Sequence, residues 1–311
     1  MKKYGFGLDL GGTTCKVGLF TTDGTIVEKW EVPTDRANNG ENILPNLAKA
    51  VNDKLAERGI DKSEVEGIGI GVPGPVMTDG VVNMCANLGW RVKPVAKELS
   101  ELTGLRVEVG NDANVAALGE AWKGAAAGTE NVVMVTLGTG IGGGIILGGK
   151  ILPGVHGAGG EIGHITANPD ETEACGCGRK GCIEQYASAT GYRKLAVKKL
   201  AESDRPSVLR SIDNFETKDV FDAAKNGDAI ALEAVDEAID MLGYSLSAIA
   251  AVVDPEVFVL GGGVSKAGAF LTDKIEASFK AKAFHACRDT KFAIASLGND
   301  AGMYGAVKMI L

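Results

Sequence analysis

The chain carries the same short pattern twice: an apolar strand, a glycine turn and a second apolar strand. Residues 10–13 (Leu-Gly-Gly-Thr) align with residues 137–140 (Leu-Gly-Thr-Gly), and residues 17–20 align with residues 144–147. Both pairs are 127 positions apart (137 − 10 and 144 − 17). Solenoid repeats are much shorter, about 20 to 50 residues. The spacing therefore predicts two copies of one domain, each a β-hairpin followed by helices and further strands.

The segments around the two hairpins alternate between strand and helix patterns. Helices are predicted at 42–58, near 94–103, within 228–253 and at 299–311. The first of these has apolar residues at every fourth position, namely Ile43, Leu47, Val51 and Leu55. Strands are predicted within 4–10, 15–20, 25–32, 65–72, 106–110, 132–137, 144–147 and 256–260. This alternation is typical of the α/β class.

The repeat also suggests where the domains divide. We predict an N-terminal α/β lobe over residues 1–112 and a C-terminal α/β lobe over residues 113–299. The second lobe includes a cysteine-rich loop at 164–184, and the terminal helix at about 300–311 is expected to pack back on the first lobe. No low-complexity linker separates the halves, so we expect a hinge between them rather than a flexible tether.

Composition excludes two broad classes of partner. The chain has 311 residues, with 32 basic and 40 acidic side chains, so its formal charge is −8. Nucleic acids and anionic membranes attract basic surfaces. No apolar run approaches the roughly 18 residues of a membrane span. We therefore expect a cytoplasmic protein that binds neither nucleic acid nor membrane, in which the six cysteines are thiols or metal ligands rather than disulfides.

Three glycine turns follow predicted strands and are candidate phosphate sites. Glycine lets the backbone approach phosphate oxygens, and successive N–H groups can bind an anion. Each turn alone could equally be a plain hairpin. Asp9, at the end of the first strand, is placed to hold Mg²⁺, whereas Lys16 is either a phosphate contact or a solvated strand lysine. The candidate residues of the turns are Gly11, Gly12, Thr13, Thr14, Gly138, Thr139, Gly140, Gly262 and Gly263.

Between the hairpins, Asn111 and Asp112 follow a strand and precede an alanine-rich helical stretch. A kinase that acts on a hydroxyl needs a carboxylate close to that hydroxyl, and Asp112 suits this role. Asn111 could bind an adjacent hydroxyl. The alternative is that the pair merely caps the following helix, which Asn and Asp both do well. The residues alone leave these two interpretations open.

A further polar set lies in the glycine-rich and cysteine-rich region. Glu161 and His164 are three residues apart, and Glu184 follows Cys182 by two positions. Acidic, amide and imidazole groups together can match the hydroxyls of a sugar, each of which both donates and accepts hydrogen bonds. A site of this kind strongly rejects analogues that lack the matching hydroxyl.

His164, Cys175, Cys177 and Cys182 supply one imidazole and three thiols within 19 residues (164 to 182). This is a soft N/S ligand set that favours tetrahedral, structural Zn²⁺. The spacing is not the usual CxxC, so redox-active or disulfide-paired thiols remain the alternative. If zinc is bound, one ring nitrogen of His164 takes the metal and the other faces the substrate. The isolated Cys15, Cys85 and Cys287 are expected to be small core or surface residues.

Six motifs together resemble the ROK family, which comprises bacterial sugar kinases and sugar-responsive repressors. They occur in the family's order and spacing between about residue 4 and residue 311. The motifs read LDLGGTTCKVGLF, GVPGPV, GNDANVAALGE, LGTGIGGGI, GAGGEIGHI and CGCGRKGCIEQYAS. The first also resembles the phosphate-binding hairpin of the actin, heat-shock chaperone and hexokinase superfamily. The resemblance implies a two-lobed actin/hexokinase-like (ribonuclease H-like) fold with duplicated β-hairpin-plus-α/β domains.

The resemblance also implies roles for the candidate residues. Asp112 is implied to be the base that takes the proton from the sugar's 6-hydroxyl. The residues implied to hold the rest of the sugar are Asn111, Glu161, His164 and Glu184, with Gly74 and Asn87 nearby. The turns at 11–14 and 138–140 are implied to hold the ATP phosphates, with Gly262 and Gly263 near the nucleotide. His164 and the three cysteines after it are implied to bind zinc.

Within the family, the resemblance is strongest to the ATP-dependent glucokinases of bacteria. It rests on KWEVPTD after the first hairpin, on ANLGW at 86–90 and on length. The alternative is another ROK hexose kinase, for N-acetylglucosamine, mannose, fructose or allose. A sugar-sensing regulator is less favoured, because the first phosphate strand begins by Tyr4 and the net charge is negative. The family also implies a homo-oligomer, either a dimer or a tetramer.

Overall fold

The computed structural model describes residues 2–311, which form two five-stranded sheets and a two-stranded hairpin with helices between them. The strands are β1 (Tyr4–Leu10), β2 (Thr14–Thr21), β3 (Ile26–Pro33), β4 (Val65–Val72), β5 (Val81–Cys85), β6 (Trp90–Pro94), β7 (Val107–Asn111), β8 (Val132–Leu137), β9 (Ile141–Leu147), β10 (Lys150–Ile151), β11 (Val257–Gly261) and β12 (Lys291–Ile294). The helices are α1 (Ile43–Arg58), α2 (Val95–Thr103), α3 (Asp112–Lys123), α4 (Glu184–Ala187), α5 (Ala189–Ala201), α6 (Thr217–Lys225), α7 (Ala229–Val253), α8 (Ala269–Lys282) and α9 (Ala301–Ile310).

The two larger sheets have the same topology. The first has the order β3-β2-β1-β4-β7, and the second has the order β10-β9-β8-β11-β12. In the first sheet β1 pairs antiparallel with β2 and parallel with β4, and in the second β11 pairs parallel with both β8 and β12. β1 and β8 end 127 residues apart (137 − 10), and β2 and β9 begin 127 residues apart (141 − 14). The predicted duplication within an α/β fold is therefore confirmed.

The chain divides into two units, and the first unit consists of three segments that are separated in sequence. The first unit comprises the chain up to Glu130 together with Gly144–Gly160 and Ser296–Leu311. The second comprises Asn131–Gly143 and Glu161–Ala295. The predicted limits of 1–112, 113–299 and about 300–311 do not coincide with these units. The difference arises because α3, which follows residue 112, packs on α9 within the first unit.

Close backbone packing holds α9 in the first unit. A Cβ atom on Gly69 of β4 would lie 1.7 Å from the carbonyl oxygen of Ala306 in α9. A Cβ atom on Gly305 of α9 would likewise lie 1.7 Å from the carbonyl oxygen of Val115 in α3. Glycine at these positions lets α9 contact the sheet on one side and α3 on another, because any side chain would separate them.

The cores follow the predicted periodicity. All four apolar residues that were predicted to form one face of α1 are buried. In α7 the buried side chains include Val235, Ile239, Leu242 and Leu246. The isolated cysteines Cys15, Cys85 and Cys287 are also buried, as expected for small core residues. Within residues 2–311, none of the helices combines the length and the apolar character needed to cross a membrane.

Candidate functional site

Asn111 and Asp112 lie at the junction of β7 and α3, in the first unit. The Asn111 side chain caps α3, because its Oδ1 accepts hydrogen bonds from the backbone N–H groups of Ala113 (3.0 Å) and Asn114 (3.2 Å). Asp112 is the first residue of the helix, and its Oδ1 accepts from the N–H of Ala113 at 2.8 Å. The capping role therefore belongs mainly to Asn111.

The loop after β4 lies against Asn111. The Nδ2 of Asn111 donates to the carbonyl oxygen of Gly74 at 3.2 Å. Gly74 has φ +96°, and a Cβ atom there would lie 2.7 Å from the carbonyl oxygen of Met84. Glycine therefore fits both the backbone conformation and the space. Asn87 is exposed in the short turn between β5 and β6.

The glycine turn between β1 and β2 is closed by backbone hydrogen bonds. The N–H of Gly11 donates to the carbonyl oxygen of Thr14 at 3.0 Å, and the hydroxyl of Thr34 donates to the carbonyl oxygen of Gly11 at 2.8 Å. A Cβ atom on Gly12 would meet no heavy atom within 4 Å. One side of this turn is therefore open to a ligand.

Asp9 and Lys16 face each other across the β1–β2 pair. Their Oδ2 and Nζ atoms are 3.6 Å apart, and the Nζ also donates to the carbonyl oxygen of Asn299 at 3.0 Å. Burial raises the pKa of the Asp9 carboxyl, and the Lys16 ammonium opposes this shift. Lys16 is thus an ion-pair partner of Asp9 rather than a solvated strand lysine.

The glycine turn between β8 and β9 borders a cavity of about 610 Å³ in the second unit. Within the turn, the N–H of Gly138 donates to the carbonyl oxygen of Gly140 at 2.9 Å. The cavity volume lies within the range of small-molecule and cofactor sites. Its lining includes Gly138, Thr139, Ala189, Thr217, Lys218, Phe221, Lys225, Gly263 and Lys266. The structure therefore brings together residues of two predicted turns, those at 138–140 and 262–263.

The sequence prediction missed the part of this cavity that α6 contributes. Thr217, Lys218, Phe221 and Lys225 all belong to α6, whose sequence contains no glycine motif and no recognisable ligand pattern. These side chains line the cavity only because α6 packs beside the turn that contains Gly138. No local signal in the sequence reveals that packing.

Glu184 is the first residue of α4, and its carboxylate reaches the same glycine turn. Its Oε2 accepts from the N–H of Ile141 at 2.9 Å. A Cβ atom on Gly140 would lie 2.1 Å from that oxygen, so the carboxylate occupies the space where a side chain would be. Its Oε1 lies 3.5 Å from the Sγ of Cys175. Glu184 thus contacts both the turn after β8 and the cysteine cluster.

The four predicted metal ligands come together. One potential ligand atom from each of His164, Cys175, Cys177 and Cys182 lies within 4.8 Å of the other three. The Sγ atoms of Cys177 and Cys182 are 3.7 Å apart, and the Nδ1 of His164 is 3.9 Å from the Sγ of Cys175. Tetrahedral Zn²⁺ with bonds of about 2.3 Å to sulfur requires sulfur atoms about 3.8 Å apart. The donor set and its spacing therefore fit zinc.

The charge balance of the cluster also fits a bound cation. The cysteines are free rather than disulfide-bonded. Burial raises the pKa of the Cys182 thiol to about 12, so a thiolate at this position requires a compensating positive charge. A hydrogen bond from the backbone N–H of Arg179 lowers the pKa of Cys177. The Nδ1 of His164 is the ring nitrogen that lies close to the Sγ of Cys175.

The loop between His164 and Cys175 is tied to α4. The hydroxyl of Tyr186 donates to the carboxylate of Glu171 and accepts from the Nδ2 of Asn168 at 3.0 Å. Burial, followed by the hydrogen bond to Glu171, raises the pKa of Tyr186 to about 12. Glu161 is exposed just before the short turn that contains His164. Residues of α4 therefore anchor the loop that carries part of the candidate site.

Comparison with known proteins agrees with this arrangement. The family model described as "ROK family" matches residues 5–311. A glucokinase of Halalkalibacterium halodurans is 45% identical over 304 residues, which cover 96% of this chain and 92% of that protein. The ROK hexokinase of Thermus thermophilus superposes with a TM-score of 0.82 at 35% identity and covers 98% of this chain and 96% of its own.

A second solved structure carries ligands. The ROK family glucokinase of Streptomyces griseus, in complex with glucose and AMPPNP, superposes with a TM-score of 0.72 at 34% identity and covers 98% of each chain. The two-domain actin/hexokinase-like fold predicted from the sequence is confirmed by these neighbours. With a family match over nearly the whole length, this chain belongs to the ROK family.

Proposed function

We propose that this protein phosphorylates D-glucose at its 6-hydroxyl with ATP as the donor. The observation that carries the substrate assignment is the 45% identity with a glucokinase over nearly the full length of both chains. A structural neighbour that binds glucose together with an ATP analogue supports the same pair of substrates. The position of Asp112 at the N-terminus of α3 supports the chemistry.

In this proposal Asp112 is the general base. It accepts the proton of the 6-hydroxyl as the oxygen attacks the γ-phosphorus of ATP, and ADP leaves. Asn111, with the Gly74 loop and Asn87, binds neighbouring hydroxyls. Because the side chain of Asn111 also caps α3 and bonds to Gly74, it fixes the base and the loop relative to each other.

Three further residues are assigned to the sugar. We assign hydroxyl binding to Glu161, to the Nε2 of His164 and to Glu184. Carboxylates accept hydrogen bonds from hydroxyls, and an imidazole nitrogen can accept or donate. The Glu184 carboxylate is already oriented by the N–H of Ile141, so little ordering remains when sugar binds.

The glycine turns and the cavity are assigned to ATP. The phosphates are held by the turns at 11–14 and 138–140, with Gly262 and Gly263 next to the nucleotide, and the 610 Å³ cavity holds the adenosine. Asp9 is assigned to Mg²⁺, which offsets phosphate charge when it is bound. Lys16, the present partner of Asp9, is then available to a phosphate oxygen.

Zinc is assigned to His164, Cys175, Cys177 and Cys182. When bound, it supplies a structural crosslink and no chemistry in the transfer step, because four protein ligands leave no open position. The crosslink fixes the ring of His164 and the loop before Cys175. Three thiolate ligands also suit the reducing conditions of the cytoplasm, where we place the protein.

We further propose that the protein is a homo-oligomer, either a dimer or a tetramer. Two apolar side chains two turns apart on α7 are exposed: Tyr244 by 58% and Val252 by 85%. Burial of such side chains against another copy would be favourable. Light scattering should give two or four times the 32.1 kDa of one chain, and a mass of one chain would refute the proposal.

A coupled assay tests the function directly. Purified protein is supplied with ATP, Mg²⁺ and, in separate reactions, glucose, mannose, fructose, allose or N-acetylglucosamine, and ADP release is followed. We expect kcat/KM for glucose to exceed that for every other hexose by at least tenfold. Preference for another hexose would assign the protein to a different ROK kinase activity, and no turnover with any hexose would refute the proposal.

A further inference from the structure

Glu120 is a buried carboxylate for which the proposed reaction has no use. It ends the motif GNDANVAALGE, which begins with the pair assigned to the sugar, and it lies in α3. Its exposed fraction is 0%. A carboxylate in such a place is costly unless hydrogen bonds compensate it. The partners in those hydrogen bonds therefore indicate what Glu120 does.

Its two oxygens hold two chain segments that are far apart in sequence. The Oε2 accepts from the N–H of Ala125 at 2.8 Å, from the N–H of Ser296 at 3.1 Å and from the hydroxyl of Ser296 at 3.4 Å. The Oε1 accepts from the N–H of Leu297 at 2.8 Å. The backbone carbonyl of Glu120 also accepts from the N–H groups of Gly124 and Ala126, each at 3.1 Å.

Both segments lie beside connections between the two units. The chain first leaves the first unit after Glu130, five residues beyond Ala125 (130 − 125), returns for Gly144–Gly160 and re-enters it for the last time at Ser296. The Glu120 side chain thus binds the turn that contains Ala125, before the chain passes to the second unit. It also binds Ser296 and Leu297, just after the chain has returned to the first unit. The carboxylate of Glu120 thus joins Ala125 and Ser296, which are 171 positions apart in the sequence (296 − 125).

The same helix carries the proposed base at its other end. Asp112 precedes Glu120 by eight residues, or about 12 Å along a helix that rises about 1.5 Å per residue. Glu120 therefore ties the far end of this helix to the two segments, and loss of its hydrogen bonds would loosen the helix that presents Asp112. A loosened helix would reduce the fraction of complexes in which the base is aligned with the sugar hydroxyl.

We propose that Glu120 is a positioning residue for phosphoryl transfer: it anchors two segments of the first unit, at Ala125 and at Ser296, on the helix that presents Asp112. This inference rests on the proposed function. The competing explanation is that Glu120 only stabilises the first unit. That explanation predicts a lower melting temperature and normal kinetics wherever the protein is fully folded.

The direct test is Glu120→Gln. Gln has the same shape, but its NH₂ group cannot accept a hydrogen bond and would face a backbone N–H donor. At a temperature where circular dichroism shows full folding, we expect kcat for glucose to fall at least tenfold. The Kd for ADP, measured by calorimetry, should change less than threefold. Hydrogen exchange at Ala125, Ser296 and Leu297 should accelerate.

A second variant covers the case in which Glu120→Gln does not fold. A Cβ atom on Gly124 would lie 2.0 Å from the Oε2 of Glu120 and 2.7 Å from its Cα, so Gly124→Ala must displace the carboxylate, the end of α3 or both, without removing the charge. We expect the same fall in kcat. Ser296→Ala is the matched control, because it removes only the hydroxyl bond at 3.4 Å and keeps the backbone N–H groups, and its kcat should stay within twofold of wild type.

The outcomes separate this inference from the proposed function. If the wild-type protein phosphorylates no hexose, the proposed function fails. If the wild type is active and a folded Glu120→Gln or Gly124→Ala variant matches its kcat, this inference fails and the proposed function stands. Hydrogen exchange of the wild type is a test that needs no variant: unprotected amides at Ala125, Ser296 and Leu297 would also overturn the anchor.

Discussion

At the scale of single residues, Glu184 connects two parts of the second unit through one carboxylate. One oxygen accepts from Ile141, directly after the glycine turn assigned to phosphates, and the other lies near the Sγ of Cys175. A residue assigned to the sugar is therefore oriented by the nucleotide turn and by the metal loop together. A substitution at either neighbour should therefore weaken sugar binding, because it would move the Glu184 carboxylate.

Gly140→Ala tests this dependence. The added methyl group would lie 2.1 Å from the Oε2 of Glu184 and must displace the carboxylate. We expect the KM for glucose to rise at least tenfold. Because Gly140 also belongs to a turn assigned to ATP, the decisive measurement is a double-mutant cycle. If the effect passes through Glu184, the double variant Gly140→Ala/Glu184→Ala should have the glucose KM of Glu184→Ala alone; additive effects would contradict the connection.

Cys177→Ser tests the metal assignment. The wild type should contain about one zinc ion per chain by elemental analysis. Loss of one thiolate from a four-ligand site should lower zinc affinity more than tenfold and reduce the melting temperature. Cys287→Ser is the control for zinc content, because Cys287 is a free cysteine that lies outside the cluster. Unchanged zinc content in Cys177→Ser would refute the ligand assignment.

Tyr186 gives a pH-dependent prediction. Its pKa is raised from about 10 when unfolded to about 12 when folded, mainly by burial. The stability that it contributes is fully present below pH 10 and is lost as the pH rises through 12, because the unfolded state releases its proton first. The unfolding free energy of the wild type, relative to Tyr186→Phe, should therefore fall by about 1 to 3 kcal/mol over that interval.

Urea unfolding between pH 9 and pH 12 measures this difference. Parallel curves for the wild type and Tyr186→Phe would show that ionisation of Tyr186 does not differ between the folded and unfolded states.

Some residues of the site could be predicted from sequence and others could not. The spacing from His164 to Cys182 predicted a cluster that the structure assembles. The pair at 111–112 allowed both capping and catalysis, and only hydrogen-bond geometry assigns the cap to Asn111. Glu120 could not be assigned a role, because Ser296, its partner, lies 176 residues away and has no local pattern.

At the scale of secondary-structure elements, α9 is held by close backbone contacts in addition to its buried side chains. It packs on β1, β4 and α3, and glycines on all of these surfaces allow the approach. An α-helix usually lies farther from its neighbours because side chains intervene. Small changes at the contact glycines should therefore have large effects on stability.

Gly69→Ala tests this packing. The new methyl group would lie 1.7 Å from the carbonyl oxygen of Ala306, so α9 or the sheet must move. We expect a loss of about 2 to 5 kcal/mol in unfolding free energy, measured by thermal or urea unfolding. Gly12→Ala should leave stability nearly unchanged, because no heavy atom lies within 4 Å of its added methyl. Equal stabilities of the two variants would contradict the packing account.

The elements with strong periodicity were predicted well. The predicted helices at 42–58 and within 228–253 correspond to α1 (Ile43–Arg58) and α7 (Ala229–Val253), which show the expected buried faces. The hairpin of β5 and β6 was not predicted, because its strands are only five residues long and alternate poorly. Short strands depend on tertiary pairing, which leaves little trace in local sequence.

At the scale of the whole molecule, the duplication accounts for most of the architecture. The two sheets repeat one strand order, and each has a glycine turn after its first strand. The domain limits were less accessible to sequence, because the chain passes between the units several times and α9 completes the first unit from the far end of the chain. The return of the chain to the first unit is determined by packing, for example that of Gly305 on α3. It is not marked by a linker of distinctive composition.

The proposed reaction depends on Asp112 being the base that activates a sugar hydroxyl. Asp112→Ala, assayed with ATP and glucose alongside calorimetric binding of glucose, tests this most directly, with Asp53→Ala on α1 as an exposed control. We predict that kcat falls by about 10² to 10⁴ while the Kd for glucose stays within about fivefold of wild type. Turnover close to that of the wild type would contradict the central claim.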